Sequence, residues 1–136
     1  MTDPQVQPLT PPGRLDELLG FEILEANGEG ARARFAVEDR VRQALGLVHG
    51  GAFAALAETL VSLATWVAVS GDGNVVLGQS NNTNFLRPVT EGTIHAEAAP
   101  LHRGRTTWIW DVRFTDDEGR LVAITRMTVA VRPEPV

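Results

Sequence analysis

Apolar positions along this chain follow two periods, and the switch between them outlines the fold. Over residues 51–69, Phe53, Leu56, Leu60, Leu63 and Val67 recur at i, i+3, i+4 and i+7 spacing. That predicts one long helix laid against a sheet. Ala54, Ala55, Glu58, Ser62 and Thr65 fall on a second, smaller-sided flank, and Gly71-Asp72-Gly73-Asn74 supplies the stop. On both sides of this segment the period becomes two. In residues 31–37, Ala31, Ala33, Phe35 and Val37 alternate with Arg32 and Arg34, the pattern of a half-buried strand. Residues 21–26 predict its hairpin partner across the turn Asn27-Gly28-Glu29-Gly30.

Beyond the long helix the chain reads entirely as strand. Residues 75–86 precede a break at Pro88 and a turn at Glu91-Gly92. Ile94, Ala96 and Ala98 then alternate with Thr93, His95 and Glu97, and Trp108, Trp110, Val112 and Phe114 with Thr107, Asp111 and Arg113. The pattern makes Trp108 and Trp110 core residues and puts His95 on the polar face. A turn at residues 116–119 leads to a last strand, residues 121–131. A short helix over residues 14–19, stopped by Gly20, comes first, and residues 38–48 are irregular. The order is short helix, two strands, long helix, four strands. This predicts an α+β fold, a six-stranded antiparallel sheet with one face covered by a single helix.

Composition narrows the function classes. At 136 residues the chain is expected to be one domain over residues 13–136, after a proline-rich lead-in, residues 1–12, read as disordered and not as a signal peptide. Cysteine is absent, which removes disulfides, thiolate zinc sites and a cysteine nucleophile, and fits a cytoplasmic location. Seventeen acidic against twelve basic side chains give a net charge of -5, against a non-specific nucleic-acid partner. The apolar run over residues 52–69 contains Glu58, Thr59, Ser62 and Thr65, so it is expected to be too polar and too short to span a membrane. Three histidines without ligand spacing make a metal site unexpected.

The candidate chemistry begins at the helix entry. In His49-Gly50-Gly51, two glycines leave backbone N–H groups unshielded at the positive end of a helix dipole, where a developing oxyanion can be held. Glu58, among Ala54, Ala55, Leu56, Ala57 and Leu60, must be paired, exposed or functional. Eight residues of helix separate Gly50 from Glu58 by ~12 Å, too far for both to serve one carbonyl. Two helices related by a two-fold axis can bring Glu58 of one chain opposite Gly50 of another, so joint catalysis requires a homodimer.

Residues 43–59, QALGLVHGGAFAALAET, resemble the signature of hotdog-fold acyl-CoA thioesterases of the phenylacetate-pathway, dihydroxynaphthoyl-CoA and helix-glutamate 4-hydroxybenzoyl-CoA types. Residues 84–89 and 100–105 resemble two further segments of that family. The resemblance runs from about residue 18 to residue 131. It implies a sheet wrapped around one central helix, a homotetramer made of two dimers, and hydrolysis of an acyl-CoA, with an aromatic acyl group favoured. No cofactor is implied beyond the CoA of the substrate. Residue by residue, it implies Glu58 as nucleophile or general base and Gly50 as the backbone donor to the thioester oxygen. Gln43 would place the thioester or the water, His49 would lie near the thiolate, and Ser62 would orient the water. Arg87, His102, Arg103, Gly104, Arg105 and Thr106 would meet the nucleotide, and Gly78, Phe85, Leu86 and Pro88 the pantetheine channel. Phe53 departs from the residues the resemblance brings to that position. The alternatives are an acyl-CoA or aromatic-ligand binder without catalysis, a thioesterase for medium aliphatic chains, and a dehydratase, whose catalytic histidine pattern is not found here.

Overall fold

The computed structural model describes residues 13–135; the proline-rich lead-in lies outside them. Helix α1, Arg14–Leu19, is followed by strands β1, Glu22–Asn27, and β2, Gly30–Ala36. Helix α2 spans Gly50–Val69, and strands β3, Asn74–Phe85, β4, Thr93–Arg103, β5, Thr107–Thr115, and β6, Leu121–Pro133, complete the chain. The six strands form one antiparallel sheet in the order β1-β2-β4-β5-β6-β3. The expected architecture is therefore the observed one. Element ends differ by a few residues: α2 starts at Gly50, β3 ends before Leu86, and the irregular stretch holds a 3₁₀ turn at Asp39–Val41.

The core lies between α2 and the concave face of the sheet. Leu56, Ala57, Leu60, Val61 and Ala64 are completely buried, each leucine contributing roughly 1.5–3 kcal/mol by leaving water. Thr65, on the smaller-sided flank seven residues beyond Glu58, is buried; its hydroxyl accepts a 3.0 Å hydrogen bond from Trp110 Nε1 and donates to the Val61 carbonyl at 2.6 Å. The indole N–H inside the core needs an acceptor, and Thr65 is that acceptor. Trp110 stacks on Trp108 at 6.0 Å, so both tryptophans are core residues as expected. His95 faces outward and pairs with Asp117 at 2.8 Å.

One expectation changes. Together with the 3₁₀ turn that follows α2, residues 50–72 contain an 18-residue run of mean hydropathy 1.7, long and apolar enough to cross a membrane. Of that 18-residue run, 56% is buried inside the fold, so the core accounts for much of the apolar content.

Strand β3 occupies one edge of the sheet and, among the described residues, pairs on one side only, with β6. It is twelve residues long and carries no charge and no proline. Edge strands usually carry such features to prevent further pairing. A bulge at Gln79 shifts its register.

Candidate functional site

The entry to α2 is shaped by its own backbone. Arg42 and Val48 bridge, Gln43 N–H donates to the Leu47 carbonyl at 2.8 Å, and Gly46 N–H donates to the Gln43 carbonyl at 2.9 Å. Gly46 sits at φ 87°, a left-handed conformation that a Cβ would strain. This turn directs Gln43 back toward the helix. Its side-chain Oε1 accepts from Leu45 N–H, and since a backbone N–H can only donate, the amide NH₂ is left for other partners.

His49 caps the helix. Its Nδ1 accepts from Gly51 N–H at 2.8 Å, which leaves Nε2 as the ring nitrogen that can donate. With Gly51 occupied in this way, Gly50 N–H has no partner among the described residues. At Gly50 the chain also passes close to an aromatic ring: a Cβ there would sit 2.7 Å from Phe85 Cζ.

Segment 85–90 closes the opposite wall. Leu86 N–H and Arg87 N–H both donate to the Val122 carbonyl, and Val48 N–H donates to the Val89 carbonyl at 2.9 Å. Arg42 reaches the Thr90 carbonyl at 3.0 Å. The result is an open, mainly apolar cavity of about 390 Å³, where Gln43 and Gly50 face Phe53, Phe85, Leu86, Arg87 and Pro88. Five site residues singled out in the sequence beside Gly50 therefore meet in one place. Leu47, Val48 and Val89 also line it and were not singled out; as unremarkable aliphatics they carried no signal of their own.

Glu58 lies elsewhere in the same chain. It is exposed, without an ion pair among the described residues, and its Oε1 would be 3.2 Å from a Cβ placed on Gly78. Gly78 therefore lets the carboxylate lie against β3 and does not line the Gly50 cavity. One turn earlier, Asn81 Nδ2 donates to the Ala54 carbonyl at 2.9 Å, so this flank of α2 faces the free edge of the sheet. Ser62 is half-buried four residues beyond Glu58, on the same helix face.

The expected nucleotide group is divided. Phe85 pairs with Ala123 at one end of β6, and Thr107 pairs with Ala130 near the other. Seven residues of strand put ~23 Å between these ends. Arg87 lies at the first end, and His102, Arg103, Gly104, Arg105 and Thr106 at the second. The turn at the second end is tight. Gly104 N–H donates to the Thr107 carbonyl at 2.9 Å, and a Cβ on Gly104 would meet that oxygen at 2.7 Å. The guanidiniums of Arg87, Arg103 and Arg105 form no ion pair or hydrogen bond among the described residues. Among those residues no group of three histidine or acidic side chains could hold a metal ion.

Comparison with known proteins gives concordant results. The profile of the thioesterase superfamily matches residues 45–123. A Mycobacterium tuberculosis chain, provisionally an esterase, is 41% identical over 110 residues, 79% of each chain. The proofreading thioesterase EntH of Cronobacter turicensis is 37% identical over 119 residues, 88% of this chain and 86% of that one. A thioesterase of Staphylococcus aureus, solved with a glutamine replaced by alanine, superposes with a TM-score of 0.84 at 30% identity, covering 89% of this chain and 100% of that chain. The same S. aureus protein, solved with a glutamate replaced by alanine, gives a TM-score of 0.83 at 32% identity over 88% of this chain and 99% of that one. The sheet with its single central helix is the hotdog architecture these neighbours share.

Proposed function

Since this chain belongs to the thioesterase superfamily, we propose that it hydrolyses an acyl-CoA, preferentially one with an aromatic acyl group, at sites shared between two subunits. One observation carries the reading. The unpartnered Gly50 N–H and the Gln43 amide border an aromatic-walled cavity that holds no carboxylate from the described residues, while Glu58 is presented toward the open edge of β3. In the S. aureus thioesterase, the glutamine and glutamate that were replaced stand fifteen positions apart, and so do Gln43 and Glu58 here.

The assembly follows from the edge. A second copy pairing its β3 antiparallel to this one completes the hydrogen bonding of both strands and turns Glu58 of the partner subunit toward Gly50. The same operation brings the partner's Arg103–Thr106 turn toward the Arg87 end. The separated cations can then serve one CoA, with phosphates as their counterions. Two such dimers form the tetramer implied by the resemblance, in the cytoplasm, with no metal or added cofactor.

The chemistry needs little more. The thioester carbonyl accepts from Gly50 N–H, with Gln43 NH₂ as a second donor; one such donor contributes roughly 3–4 kcal/mol at the transition state. Either Glu58 attacks the carbonyl carbon, expelling CoA thiolate and leaving a mixed anhydride that water cleaves to the free acid, or Glu58 takes a proton from water as it attacks and the C–S bond breaks. In both, Ser62 orients the water and the thiolate leaves beside His49. Thiol release from a panel of aromatic and aliphatic acyl-CoAs tests this reading, with Glu58→Ala measured alongside. Fastest turnover of aromatic substrates, lost in Glu58→Ala, is the expected result. Full activity in Glu58→Ala would reject the mechanism.

A further inference from the structure

Among the described residues, three buried side chains line the cavity, Val48, Phe53 and Val89, and Phe53 is the one ring among them. Phe53 leaves the first turn of α2, is 4% exposed, and lies between the cavity and the core. On the cavity side its ring meets Phe85, at 6.1 Å between centroids and 47° between planes. On the core side it meets Phe35 at 6.1 Å and 67°, and Phe114 at 5.2 Å and 75°. Phe35 and Phe114 are completely buried, and Phe21 continues the row at 5.5 Å from Phe35. A line of phenyl rings thus runs from the rim into the interior. Of the two rings that line the cavity, only Phe53 belongs to the core cluster.

We propose that Phe53 is the floor of the acyl pocket and sets the length of acyl group accepted, admitting a single aromatic ring and turning away long straight chains. The proposal rests on the thioesterase reading for its ligand class. The cavity, at about 390 Å³, is near the small end of ligand pockets. The tilted rings of Phe53 and Phe85 give it two aromatic walls against which a further ring can pack. A long chain entering past Gly50 would have to displace a ring held by two buried rings in a close-packed interior. Shortening residue 53 leaves a hollow next to Phe35 and Phe114, because surrounding side chains relax only partially. An apolar hollow of this kind stays dry and takes an apolar guest. Each methylene buried there is worth about fourfold in affinity.

The experiment compares wild type, Phe53→Leu, Phe53→Val and the rim variant Phe85→Leu. Two ratios are read. One is kcat/KM for decanoyl-CoA over benzoyl-CoA by thiol release, and the other is the affinity of the decyl-CoA thioether over the benzyl-CoA thioether by calorimetry. Both should rise roughly tenfold or more in Phe53→Val, by an intermediate factor in Phe53→Leu, and stay near wild type in Phe85→Leu. Should Phe53→Val fail to fold, the closer match in volume lets Phe53→Leu carry the comparison. Affinity ratios within about twofold of wild type in the folded Phe53 variants, or an equal rise at Phe85, would overturn the proposal. If wild type binds the thioethers and shows the shift at Phe53 but releases no thiol from any acyl-CoA, hydrolysis fails while the floor stands.

Discussion

The ring of Phe85 rests on Gly50, so close that a Cβ at Gly50 would stand 2.7 Å from Phe85 Cζ. Phe85 is 59% exposed and its ring tip can swing aside, so Gly50→Ala should fold with little loss of stability. The displaced ring then invades the cavity beside the free N–H. We expect kcat/KM for the best acyl-CoA to fall ~10²-fold. Adding Phe85→Ala should recover part of that loss, which a double-mutant cycle would reveal as a coupling between the two sites. Additive effects would show that the contact does not matter for turnover.

The Glu58 side chain supports the fold through no ion pair or hydrogen bond among the described residues. Glu58→Gln should therefore leave Tm within about 2 °C of wild type, as surface changes usually do. Turnover should fall ~10²–10⁴-fold, the range typical of a lost catalytic base. Calorimetry and thiol release on one preparation separate these effects. A large drop in Tm would recast Glu58 as structural.

The unpaired guanidiniums of Arg103 and Arg105 make a prediction about the substrate handle. Alanine at both positions should raise KM for acyl-CoA roughly tenfold, more strongly at low ionic strength, and leave the matching acyl-pantetheine unaffected. Equal losses on both substrates would remove these residues from nucleotide binding.

Acid stability should be governed by the turn between β5 and β6 and its neighbour β4. Burial alone would raise the Asp116 pKa. Donors from the Arg120 backbone and guanidinium and from Glu118 N–H outweigh it, leaving the carboxyl below 3.8. His95, bonded at 2.8 Å, and then Thr93 N–H hold Asp117 below 3.8 as well. Both folded pKa values are depressed, so both groups stabilise the fold above the unfolded value and cease to do so as pH falls through the lower folded one. Asp116→Asn should melt below wild type at neutral pH, and that gap should close as the pH drops below about 4. Melting curves across pH test this, and a gap that persists into acid would contradict it.

How much of this was legible in the chain depends on the range of each interaction. The long helix, the alternating strands and the core tryptophans follow from local periodicity, which a single sequence displays. Helix spacing puts Thr65 on the flank of Glu58, but its burial there is set by Trp110, forty-five residues away, and not by that spacing. Gln43, Gly50 and Phe85–Pro88 were recognisable as site residues, yet their meeting in one cavity depends on the chain returning after β3. The separation of Arg87 from Arg103 depends on the sheet order, which puts β3 at an edge beyond β6. Strand order of this kind leaves no mark in local patterning.

A heterodimer assembled from two inactive subunits tests the shared site most directly. One subunit carries Glu58→Gln and keeps Gly50; the other carries Gly50→Val and keeps Glu58. The two are co-expressed with different affinity tags, purified as the mixed species and assayed for thiol release. Of its two sites, one then combines a native Gly50 with the native Glu58 of the other subunit. The predicted activity is about half that of the wild-type dimer, against near-zero for each parent. Activity in the mixed species no higher than in the parents would contradict a site built across the dimer.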